Sequence, residues 1–168
     1  MMKRFEGKIV LITGAAQGVG KEIVKLFVSE GAKAYIADIN YDGIKKLEAE
    51  LVGNDFEVIA VKADISNFSD TRDMVDGAIR EFGKIDILVN NAAVGMTKPM
   101  MELEWEDWDL VLDVNVRGTF FVLQNAARKM IERGNGGSIV NIASIAGEGG
   151  RPLFLPYAAS KSAVINMT

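Results

Sequence analysis

The sequence predicts an α/β fold, a doubly wound parallel sheet with five strands, on three observations. Short β-branched runs alternate with helix-length amphipathic segments along the chain. The strand runs are almost continuously apolar, as in Ile85-Asp86-Ile87-Leu88-Val89, which suits strands covered on both faces. A glycine-rich stretch, Thr13 to Gly20, falls between the first strand and the first helix, where a tight βα turn is needed.

In order, the β-branched runs place strands near residues 8–13, 33–38, 56–62, 85–90 and 137–143. The amphipathic segments between them place helices over 18–30, 41–52, 67–82 and 104–133, with a last helix from about 155 onward. Ser66 or Asn67 is the expected cap of the third helix. The fourth is long enough to be two helices, with a break near Asn115. There is no internal repeat, low-complexity tract or linker.

With 168 residues and 49% hydrophobic content the chain has enough material for one core, so a single domain over residues 1–168 is expected. Acidic and basic residues are interspersed and the net charge is −4, which argues against a nucleic-acid-binding face. The apolar runs are strand-length, far short of the roughly 20 residues of a membrane span, and Met1 to Lys8 shows no secretory pattern. The expectation is a cytoplasmic chain with neither a membrane nor a nucleic-acid partner. No cysteine and no histidine are present. Disulfides, thiolate nucleophiles, imidazole bases and Cys/His metal sites are therefore excluded, and no metal is expected. Acid/base work falls to Asp, Glu, Lys and Tyr.

Thr13-Gly14-Ala15-Ala16-Gln17-Gly18-Val19-Gly20 leads directly into an amphipathic helix. Glycines at that junction let backbone N–H groups approach a pyrophosphate at the positive end of a helix dipole, as in Rossmann-like dinucleotide folds. The spacing is G-x-x-x-G-x-G rather than the common G-x-G-x-x-G, and alone it is also compatible with a plain tight turn. Asp38 ends the second strand 24 residues after Gly14. There a carboxylate either accepts the ribose hydroxyls of an adenosine or caps the following loop. As a ribose acceptor it favours NAD over NADP, since neither Ile39, Asn40 nor Gln17 supplies a cation for a 2′-phosphate. Asp64-Ile65, after the third strand, either contacts the adenine or starts the next helix.

Tyr157 and Lys161 are four apart in the last helical segment and share one face. A tyrosine acting as base near neutral pH needs its reference pKa of about 10 to fall by roughly three, about 4 kcal/mol of preference for the phenolate. An adjacent ammonium and a cationic nicotinamide both push that way. Taken alone, such a pair is more often a snorkelling surface pair.

Together, Thr13-Gly14-x-x-x-Gly18-x-Gly20, Asp64, Asn90-Asn91-Ala92-Ala93, Asn115, Ser144 and Tyr157-x-x-x-Lys161 resemble, in order and separation, the short-chain dehydrogenase/reductase family. The resemblance implies an oxidoreductase that transfers a hydride between NAD(H) and a secondary alcohol or ketone. It implies Tyr157 as the acid/base and, with Lys161, as a cofactor-binding residue, Lys161 lowering the pKa of Tyr157 and anchoring the nicotinamide ribose. Ser144 would polarise the carbonyl, and Asn115 would help hold a water relaying protons towards Lys161. Gly14, Gln17, Gly18, Val19 and Gly20 would meet the cofactor phosphates, and Asn91-Ala92 its adenosine side.

The sequence departs from the family at Ala93, where a glycine is usual, so that loop must accommodate a Cβ. The family also continues beyond the position of Thr168 with two more strands and further helices. The expected chain is thus incomplete at its C-terminus, with the fifth strand a bare edge that invites self-association or a homo-oligomer. The alternative function is an NAD-binding fragment without turnover. Trp105 and Trp108 are expected in the core rather than at a subunit contact, and Met96, Met100 and Met101 as gap-fillers rather than beside the substrate.

Overall fold

The computed structural model describes residues 3–134 and 136–168; Met1, Met2 and Asn135, included in the expected unit 1–168, lie outside them. The strands are β1 (Ile9–Thr13), β2 (Lys33–Asp38), β3 (Val58–Lys62), β4 (Ile87–Asn90) and β5 (Ser138–Asn141). They form one sheet in the order β3-β2-β1-β4-β5, every pairing parallel. The order reverses between β1 and β4, and a crevice at that switch point is where ligands bind in open α/β sheets.

The helices are α1 (Gly18–Ser29), α2 (Tyr41–Val52), α3 (Phe68–Phe82), α4 (Trp105–Leu112), α5 (Thr119–Arg133) and α6 (Leu155–Asn166). Strand alternation splits the apolar residues between two faces. Val10, Ile12, Ala34, Ile36 and Val89 pack with Val24, Val28, Ile44 and Leu47 of α1 and α2. Leu11, Tyr35, Ala37 and Leu88 pack with Met74, Val75, Val122 and Ala126 of α3 and α5. The doubly wound expectation holds for a simple reason: both faces of the central strands are buried, so the strands must be apolar throughout.

The break expected near Asn115 takes the form of a π-helical turn, Asp113–Gly118, between α4 and α5. Such turns insert an extra residue into a helix and recur at functional sites. Here the turn buries Asn115 and presses Gly118 against the loop after β3, where a Cβ would lie 2.6 Å from the Ile65 carbonyl oxygen. Gly118→Ala is expected to destabilise the chain by about 1–3 kcal/mol through overpacking. An unchanged melting temperature by circular dichroism would show that this contact does not constrain the turn.

Asn67 is the cap of α3, accepting from Ser69 N at 2.9 Å. Two expectations are corrected. Trp105 is 77% exposed at the start of α4, and Met100 and Met101 are 69% and 90% exposed in the preceding 3₁₀ turn, so none fills the core. The reason is local: α4 buries Val111 on its inner face, whereas Trp105 stands at its outer first turn and the preceding 3₁₀ turn buries none of its residues. Trp108 and Met96 are half-buried. Among the described residues, no helix is long and apolar enough to cross a membrane.

Candidate active site

A cleft of 390 Å³ opens at the carboxyl ends of the strands, lined by Gly14, Gln17, Gly18, Asp38, Asp64, Ile65, Asn91 and Ala92. These are eight of the residues expected to meet a cofactor. Its shape rests on Gly14, whose φ of +65° suits glycine and where a Cβ would lie 2.6 Å from Ala92 Cα. Gly18 also has positive φ, +56°, with nothing within 4 Å of a Cβ position, so space remains above the loop. Gly20 is buried, and a Cβ there would land on the Gly14 carbonyl. Val19 points elsewhere: it is exposed and lines a shallow groove on α1 with Ile23 and Leu26.

Asn91 staples the two loops that form the cleft. Its Nδ2 donates to the carbonyls of Thr13 at 3.1 Å and Gly14 at 2.9 Å. Thr13 Oγ1 in turn accepts from the backbone N–H groups of Asn91 and Ala92, both at 3.1 Å. Ala93 avoids the strain that a positive φ would impose: Asp55 and Leu153 are the non-glycine residues with positive φ among those described.

At the head of α1, Gln17 occupies the cap position without a side-chain hydrogen bond, and the first turn holds no acidic residue. The N–H groups there are left for an anionic acceptor, which fits a pyrophosphate. Asp38 Oδ2 accepts from Ala16 N at 2.9 Å and Oδ1 from Asn40 N at 2.8 Å. The carboxylate is thereby fixed at the cleft wall with lone pairs to spare. Asp64 is engaged by Ser66, whose N–H and hydroxyl donate to its Oδ1 at 2.9 and 2.7 Å.

The second cluster lies around α6, beyond Val94. Tyr157 and Lys161 share a face as their spacing predicted, with Nζ 5.7 Å from the Tyr157 ring centroid. Lys161 is buried, its Nζ donating to the Ile142 carbonyl at 2.6 Å. Burial pushes its pKa below the ordinary lysine value. Ser144 Oγ accepts from Ala146 N at 3.1 Å. The 3₁₀ turn Ile145–Gly147 that follows lies tightly on α6, for a Cβ on Gly147 would sit 2.7 Å from the Lys161 carbonyl carbon.

Asn115 is more committed than its sequence position suggested. Its Oδ1 accepts from Val94 N and its Nδ2 donates to Val94 O, both at 2.8 Å, and Nδ2 donates again to Ser160 Oγ at 2.9 Å. Both amide hydrogens are thus spent, leaving its oxygens as acceptors. Val94 and Val114, which line the cleft, and Ser160 were missed by sequence reasoning. Val94 had a signal, since it continues directly from Asn90-Asn91-Ala92-Ala93; Val114 and Ser160 had none.

Comparison with known proteins places this geometry. Residues 8–168 match the family model described as short chain dehydrogenase. A 3-oxoacyl-(acyl-carrier-protein) reductase of Thermotoga maritima is 39% identical over 165 residues, with 98% of this chain and 67% of that protein aligned. The sorbitol dehydrogenase of Cereibacter sphaeroides is 40% identical over 165 residues, with 98% of this chain and 63% of that protein aligned. A short chain dehydrogenase/reductase from Burkholderia phymatum in complex with NAD superimposes with a TM-score of 0.95 at 35% identity, covering 99% of this chain and 59% of that one. An NAD⁺-bound xylitol dehydrogenase gives 0.94 at 36% identity, covering 99% of this chain and 64% of that one. The chain therefore spans about two thirds or less of the length of these relatives. With the family match running through every strand and helix of the sheet as far as the helix of Tyr157, the chain belongs to the short-chain dehydrogenase/reductase family.

Proposed function

We propose that residues 1–168 act as one NAD-binding and catalytic unit of an oxidoreductase that interconverts a secondary alcohol and a ketone. The observation carrying this reading is the buried Lys161 ammonium beside the Tyr157 ring, on a helix next to a glycine-shaped cleft. NAD(H), when bound, carries the hydride. Gly14, Gln17, Gly18 and the N-terminus of α1 would hold its phosphates, Asp38 its adenosine ribose, and Asp64, Ile65, Asn91 and Ala92 would border its adenine. Val19 and Gly20 would contribute through backbone and loop shape.

Tyr157 takes the hydroxyl proton of the alcohol on its phenolate oxygen, or returns it to the ketone. Lys161, its Nζ 5.7 Å from the Tyr157 ring centroid, has donors for the nicotinamide ribose. Ser144 is oriented by Ala146 N to donate its hydroxyl hydrogen to the substrate oxygen. Asn115 offers acceptor oxygens rather than amide hydrogens to a proton-relay water. The carboxylate at the cleft wall supports NAD over NADP.

The test is a nicotinamide-fluorescence titration with NADH and separately NADPH, with folding followed by circular dichroism. Saturable NADH binding and much weaker NADPH binding are expected; a folded chain that binds neither would overturn the reading.

A second reading, NAD binding without turnover, is favoured by one observation. Ile145 is 72% exposed beside Ser144, and Phe154 and Leu155 before Tyr157 are exposed as well, so the substrate side is open. It predicts NADH affinity indifferent to sorbitol and no NADH formed from NAD and sorbitol.

We also propose self-association. Among the described residues β5 pairs with β4 alone, Val140 on it is 45% exposed, and Trp105, Met100 and Met101 add apolar surface. Light scattering is expected to give a mass above 18.2 kDa; a compact stable monomer would refute this.

A further inference from the structure

We propose that Ser160 is a positioning residue for the reaction, holding Tyr157 and Lys161 in register with the cleft through Asn115; this rests on the reading of Tyr157 and Lys161 as the proton-exchanging pair. Ser160 precedes Lys161 and follows Tyr157 by three residues, and it is 0% exposed. A buried hydroxyl needs partners. Its Oγ–H donates to the Tyr157 carbonyl at 2.7 Å, and its Oγ accepts from Asn115 Nδ2 at 2.9 Å. Asn115 in turn grips both backbone groups of Val94 at 2.8 Å.

A directed line of hydrogen bonds therefore runs from the loop after β4, through the π-helical turn, to the backbone of the proton-exchanging tyrosine. Val94 at its far end lines the cleft. The line fixes the amide orientation of Asn115, because Oδ1 faces an N–H donor and the two Nδ2 hydrogens face two acceptors. It also ties α6 to the wall of the cleft. Gly95 next to Val94 shows how close that fit is: a Cβ there would lie 3.3 Å from the Tyr157 ring.

Without the Ser160 hydroxyl, one buried hydrogen of Asn115 has no acceptor, and the tie between the turn and α6 is lost. Alanine is a better helix former than serine, so α6 itself persists. What changes is placement. The glycine loop and Asp38 lie outside this line and keep their shape.

The experiment compares Ser160→Ala and Ser160→Thr with the unsubstituted chain, using ¹⁵N and ¹H NMR and steady-state oxidation of sorbitol by NAD. In Ser160→Ala the Asn115 side-chain amide is expected to exchange with solvent at least about tenfold faster as its buried bond opens. The Overhauser contact between the Lys161 side chain and the Tyr157 ring is expected to weaken. Wherever sorbitol is turned over, kcat falls roughly 10- to 100-fold, the scale of a small misplacement, while KM for NAD stays within about twofold. Ser160→Thr, which keeps the hydroxyl, restores the amide protection and kcat.

Unchanged amide exchange and an unchanged Lys161–Tyr157 contact in Ser160→Ala overturn the proposal. So does a loss of kcat and cofactor affinity together in proportion to lowered melting temperature, which marks a merely structural serine. A chain that binds no NADH defeats the proposed function instead, and the two NMR readouts still decide whether Ser160 sets the geometry of the pair.

Discussion

Replacing Tyr157 by phenylalanine is expected to lower kcat for NAD-dependent alcohol oxidation by about 10²- to 10⁴-fold, the usual contribution of a positioned acid/base. The ring remains, so its contact with Gly95 and its place on α6 are kept, and the far-ultraviolet circular dichroism should not change. NADH affinity should change by no more than about fivefold, the worth of one neutral hydrogen bond of about 1 kcal/mol. The asymmetry is expected because Gly14, Gln17, Gly18 and Asp38, which line the cleft, are untouched by this substitution. A variant that keeps kcat within threefold would assign the proton transfer to another group. With neither histidine nor cysteine in the chain, the remaining choice would be a carboxylate or Lys161.

Asp38→Ala is expected to weaken NADH binding by about 10- to 100-fold, the range for losing a hydrogen bond to a charged acceptor at about 1.5–3 kcal/mol. NADPH binding should hold or improve, because the carboxylate that repels a 2′-phosphate is gone, so the preference between the cofactors narrows from both sides. The same fluorescence titration measures it. Two effects combine here, since Asp38 also holds Ala16 N and Asn40 N. If the two affinities fall by the same factor, Asp38 is only a tie for the glycine loop, and preference for NAD has another source.

Much of this was legible in the sequence because the relevant physics is local. Strand ends were placed within two residues because β-branched runs stop abruptly at loop chemistry. The long helical segment announced a break near Asn115, although its π-helical form did not follow from composition. Trp105, Met100 and Met101 were read as core residues because their type favours burial; only the position of α4 relative to the other layers reveals that nothing covers them.

By itself the sequence determined the apolar strands of an α/β fold, the glycine turn between the first strand and the first helix, and the shared face of Tyr157 and Lys161. Each depends on neighbours within a strand, a turn or one helical turn, where spacing dictates geometry. Only the tertiary structure decided that Asn91 staples the glycine loop across 77 residues, and that Asn115 reaches Val94 across 21 and Ser160 across 45. Those partners are chosen by how the layers pack, and a buried amide accepts whichever donors and acceptors the packing brings to it.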